Sequence, residues 1–129
     1  MGDFIMSHVR VFDTPTGPQQ CIVDEWAHAL ASFCGHLKRT TTVSGELEFE
    51  TNGTKATPTN RPANQMIKSL NLGMPIFTPE QIGGFFQTMR IVAAHNDGCL
   101  PVHPSDRKLM LKEENSDREG HSLLRFSLI

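Results

Sequence analysis

The spacing of apolar residues alternates between period two and the helical period, and each switch marks an element. Residues 3–12 alternate: Ile5, Val9 and Val11 share one face, and Phe4, Met6 and Phe12 share the other. This predicts a strand covered on both sides. The stretch DTPTGPQQ, with two prolines and a glycine, predicts a loop. From 20 to 37 the period becomes helical, with Ile22, Val23, Trp26, Leu30, Phe33, Cys34 and Leu37 on one side. Residues 40–51 return to period two. Val43, Leu47 and Phe49 face inward, and Glu46, Glu48 and Glu50 form an acidic outer face. NGTKATPTNRP, residues 52–62, predicts a long, mobile polar loop, locally basic through Lys55 and Arg61.

Residues 62–72 predict a short helix, with Ala63, Met66, Ile67 and Leu70 on one face and Gly73 placed to end it. Thr78, Pro79 and Gln81 carry the signature of a capped helix start, flanked by Phe77 and Ile82 at hydrophobic-staple spacing. That helix runs through Phe85, Phe86, Met89 and Val92. Its adjacent Gly83 and Gly84 suggest a close approach to another element or a partner subunit. Residues 108–113 and 121–129 predict two strands joined by a charged loop, with Leu109 and Leu111 on one face of the first and Leu124, Phe126 and Leu128 on one face of the second. The expected order is β-α-β-α-α-β-β. The expected class is α+β: a mixed sheet with helices on one or both faces, an α/β/α-like layering, in one domain spanning 1–129.

Composition narrows this picture. The chain has 129 residues, a net charge of −2, and 38% hydrophobic and 20% charged residues. Those values suit one soluble globular domain and exclude wholesale disorder. No apolar run reaches the roughly 18 residues of a membrane helix, so no membrane contact is expected. A nucleic-acid binder working by bulk positive charge is also excluded. Cys21, Cys34 and Cys99 are odd in number and widely spaced, which predicts free thiols. Cys34 is expected to pack as a small hydrophobe and Cys99 to be exposed in a loop. The apolar end of the sequence suggests a folded core with a dispensable tail removed.

The chemistry-bearing residues form no complete catalytic set. His95, Cys99 and His103 have metal-ligand types but lack a finger-like partner pair, and no metal or other cofactor is expected. Glu25 and His28 form one Glu-x-x-His step where di-metal carboxylate sites use two. Residues 63–94 resemble a helix-turn-helix unit superficially, but their connection is too long and Arg90 is the one basic group of the second helix. Lys38, Arg39, Lys55 and Arg61 could form a modest basic rim between the first helix and the polar loop, able to hold phosphates without sequence preference. The chain is therefore read as non-enzymatic. The alternatives are a regulatory or inhibitory binding protein of phage or bacterial type, and a small hydrolase or ribonuclease using some of its six histidines.

The opening FIMSHVRVF followed by CIVDEWAHALASFCGHL, the loop TNGTKATPTNRPAN and the ending SLLRFSLI give the chain a whole-length resemblance. It is similar in size and character to the minor inner-capsid packaging proteins of cystoviruses, the double-stranded RNA phages. That resemblance implies a homodimer that assists capsid assembly and RNA packaging beside the viral polymerase. Its implied partners are capsid and polymerase proteins, with RNA as a possible further one. Its implied location is the virion's inner capsid or the host cytoplasm.

Overall fold

The computed structural model describes residues 10–14, 17–21, 23–40, 45–72, 77–101 and 107–129. A hairpin comes first, with β1 (Arg10–Thr14) pairing antiparallel to β2 (Gly17–Cys21). Helix α1 (Val23–Thr40) follows. Then come β3 (Glu46–Thr51), β4 (Ala56–Pro58), α2 (Arg61–Asn71), α3 (Pro79–Ala94), β5 (Cys99–Pro101), β6 (Lys108–Asn115) and β7 (Ser122–Leu128). Strands β3 to β7 form one sheet in the order β4-β3-β7-β6-β5.

The class is α+β, as the alternation of periods predicts. Within it, several details differ from expectation. Every pairing in the five-stranded sheet is antiparallel, so the sheet is not mixed. Consecutive strands joined by short turns can reverse directly, and no parallel crossover is needed. Among the described residues the helices lie on one face only, which makes two layers. β2 lies in the stretch expected to be a loop, and residues 3–9 of the expected first strand lie outside the described residues. The polar loop contains β4, and the segment after α3 contains β5. Three-residue strands carry too little pattern to be read locally.

The covered face is apolar because side chains alternate along each strand. Leu47, Phe49, Leu109, Leu124, Phe126 and Leu128 are buried there against Trp26, Leu30, Cys34, Met66, Ile82, Phe86 and Met89 of the helices. Phe86 of α3 sits 4.8 Å from Phe49 and 5.1 Å from Phe126 by ring centroids. Trp26 packs edge-on against Phe77 at 4.7 Å. Its indole nitrogen is buried with no hydrogen-bond partner among the described residues. Gly45 lets β3 enter beneath α1, since a Cβ there would stand 2.8 Å from the Cys34 carbonyl oxygen.

Local chemistry sets the helix ends. Thr78 and Gln81 form the expected capping box on α3, each side chain bonding the other's backbone N–H. Helix α2 is capped by Asn60, which accepts from the Ala63 N–H at 3.0 Å. It ends on Leu72 in the left-handed conformation, with φ 36°. Gly73, the expected terminator, lies outside the described residues.

Candidate functional site

The polar face of the sheet is organised around one guanidinium. Arg125 of β7 bonds Glu48 of β3 at 2.9 Å, lies 3.5 Å from Glu46, and pairs with Glu114 of β6 on its other side. The acidic strand face is thus bridged across three strands. Farther along, Glu50 accepts from Ser116 at 2.8 Å and from Arg118 at 3.0 Å. Those two bonds, the Ser116 hydroxyl foremost, hold the Glu50 carboxyl below its ordinary value despite partial desolvation.

The segment expected to be mobile is pinned at both ends. The Asn52 side-chain Oδ1 accepts from the Thr54 and Lys55 backbone N–H groups and from the Thr54 hydroxyl. The Asn60 amide accepts from Glu48 N–H at 3.3 Å and donates to the Glu46 carbonyl at 3.1 Å, so it replaces a strand partner where β4 stops. These side-chain-to-backbone bonds do locally what a longer ladder would do.

The expected basic rim divides. Lys55 sits in the β3–β4 turn, where it pairs with Glu80 at the start of α3 at 3.6 Å. Lys38, Arg39 and Arg61 lie at the other end of the sheet. Lys38 donates to the Leu128 carbonyl, and the Arg39 guanidinium lies beside Gly35, itself against the Leu128 side chain. Arg61 follows Asn60, which is fastened to Glu46 where β3 begins. The length of β3, six residues or roughly 20 Å, separates Lys55 from this group. The acidic strand face does not lie between the three, because it is a different surface.

Lys108 joins them. It opens β6, and its carbonyl accepts from the Ile129 N–H at 3.0 Å, one residue beyond the Leu128 carbonyl that Lys38 bonds. Among the described residues, Lys38, Arg39, Arg61 and Lys108 form no ion pair, whereas Lys55, Arg90, Arg118 and Arg125 all do. No local sequence signal marks Lys108, since the β6–β7 register alone brings it to the end of α1. Arg107 precedes it and is exposed.

The remaining candidates are dispersed. His28 and His36 are on α1, His95 ends α3, and His121 precedes β7, its ring bonded to the Glu119 carbonyl at 3.1 Å. His8 and His103 lie outside the described residues, as does the Glu25 side chain. No group of three or more His, Cys, Asp or Glu able to hold a metal occurs among the described residues. Cys99 is buried in β5 rather than exposed, because the turn Asn96–Gly98 carries the chain straight into the sheet. Cys34 is buried, donates to the Phe126 carbonyl at 3.4 Å, and its thiol is pushed up to about 12 by burial, partly offset by the Lys38 charge. Both thiols are free. No helix of the described residues is long and apolar enough to cross a membrane. No family model, curated protein or solved structure matches the chain.

Proposed function

We propose that this chain is a non-enzymatic assembly and RNA-packaging cofactor of a viral polymerase complex, acting as a homodimer through protein surfaces. The viral setting rests on the resemblance given by its opening segments, polar loop and ending. The observation that carries the dimer is the outer side of α3. Over its sixteen residues this helix has only two charged side chains, Glu80 and Arg90. Its exposed stripe runs through Gly84, Gln87 and Ala94, with Ile91 half-buried among them. A surface helix ordinarily shows a charged outer face. An uncharged one suits contact with another protein, and Gly84, where an added Cβ would meet nothing within 4 Å among the described residues, leaves room for a close helix–helix approach.

Light scattering on the purified chain tests the dimer. A mass twice the monomer's is expected at tens of micromolar, falling to the monomer's in Gln87→Lys/Ile91→Glu. A strict monomer at millimolar concentration overturns the reading. Co-purification separates the packaging role from a regulatory one: capture of polymerase-complex proteins supports the first, and capture of a host enzyme in their place removes it.

A further inference from the structure

We infer that the end of the sheet where β3 and β6 begin is a binding site for the phosphate backbone of RNA, formed by Lys38, Arg39, Arg61 and Lys108. These residues come from the end of α1, the start of α2 and the start of β6, so three separate elements converge on one end. They are tied together through β7 and β3: Lys38 bonds the Leu128 carbonyl, Lys108 bonds the Ile129 N–H, and the residue before Arg61 bonds Glu46, which faces Ser127 across the ladder. Neighbouring strands lie about 5 Å apart, so the group spans on the order of 10–20 Å, the scale of a few nucleotides of backbone.

Two features favour phosphates over other anions. The cations are exposed and without carboxylate partners among the described residues, while Arg118 and Arg125, elsewhere on the sheet, are paired in place. Glu46, at the start of β3, is engaged by Arg125 and does not compete. A group of cations drawn from three elements can contact several phosphates and reads no base, so sequence-independent contact follows. An acidic peptide could also meet such charges, and competition by polyglutamate separates it from RNA. The inference rests on the packaging reading only in naming RNA as the polyanion. The α3 dimer surface is a different face.

The test is fluorescence anisotropy of a labelled oligouridine with the intact chain, from 20 to 300 mM salt. Micromolar to submillimolar binding is expected, with log K falling against log salt at a slope of about 0.7 per phosphate engaged. Lys38→Gln/Arg39→Gln/Arg61→Gln/Lys108→Gln should weaken binding at least tenfold and flatten the slope. Lys55→Gln should bind as the wild type. Lysine acetylation of the unmodified protein gives a second readout: RNA should protect Lys38 and Lys108 but not Lys55 or Lys112. Unchanged binding in the quadruple variant, or protection of Lys55 instead, overturns the inference. So does displacement of the RNA by an equal charge of polyglutamate. Gln87→Lys/Ile91→Glu abolishes the dimer if the proposed function holds, and a monomer that still binds RNA separates the two outcomes.

Discussion

Gly83 of α3 lies so close to Thr54 that a Cβ at position 83 would stand 2.5 Å from the Thr54 carbonyl oxygen. The β3–β4 turn therefore packs directly on the helix backbone, and Lys55 and Glu80 pair beside it. Gly84, one residue on, has nothing within 4 Å of the same atom. Gly83→Ala should destabilise by about 1–3 kcal/mol, because overpacking against backbone outweighs the gain in helix propensity. At submicromolar protein, below the proposed dimerisation, Gly84→Ala should stabilise by about 0.5–1 kcal/mol through that propensity and a restricted unfolded chain. Urea melts of the pair check both signs, and equal effects would refute the contact.

Asn60 joins two elements with one amide: it caps α2 and supplies the strand partner that β3 lacks below β4. Asn60→Ala should cost about 2–3 kcal/mol, combining a lost cap with two half-buried backbone groups left unpaired. Asn60→Ser should recover roughly 1 kcal/mol, since a hydroxyl restores the cap but cannot bond both Glu46 and Glu48. Chemical denaturation of the three proteins, at one ionic strength, orders them.

Arg125 holds Glu46, Glu48 and Glu114 from the middle strand and is about one-third exposed. Exposed ion pairs contribute little singly, but removal of the shared cation leaves neighbouring carboxylates facing one another. Arg125→Met should destabilise by about 1–2 kcal/mol at low salt, and the loss should shrink at 0.5 M salt as repulsion is screened. A salt-independent loss would assign the effect to packing of the side-chain stem instead.

The parts of this fold that were legible in the sequence are those governed by neighbours a few residues apart. Thr78 and Gln81 declared the start of α3, and the alternation of Leu47 and Phe49 with the glutamates declared β3. Trp26, Leu30 and Cys34 declared the buried side of α1. What depended on long-range pairing was hidden. Lys108 meets the end of α1 only through the β6–β7 register, and Lys55 was grouped with Lys38 because nothing local shows that β3 stands between them. Arg125 is flanked in sequence by Leu124 and Phe126, with no local sign of a carboxylate partner, yet the register sets it opposite Glu48 and Lys112. Asn60 looked like a loop residue for the same reason, and β5 was too short to show a period.

Glu50 makes a pH prediction with a definite sign. The Ser116 hydroxyl, and after it Arg118, hold its carboxyl below the ordinary 4.5. The ionised form is therefore favoured in the folded state. Its contribution is present above 4.5 and disappears as pH falls through the lowered folded value. Ser116→Ala should move the Glu50 titration upward toward 4.5, as followed by carboxyl carbon NMR. An unmoved midpoint would leave Arg118 as the group responsible.

Cys34 predicts the opposite limb. Burial raises its thiol to about 12, the positive charge of Lys38 notwithstanding, so the neutral form is favoured in the folded state. An unfolded thiol ionises near 8.5. Stability is thus unaffected by this group below that pH and falls as pH rises from there toward 12. Cys34→Ser keeps a donor for the Phe126 carbonyl but does not titrate in this range. The variant should be less stable than wild type at pH 7.5, and the gap between the two urea midpoints should narrow by pH 10. The native thiol should also resist iodoacetamide at pH 8 and react only on unfolding, since the thiolate is the nucleophile and the site is closed to reagent. A constant gap together with rapid native labelling would show that the α1–β7 contact opens freely in solution.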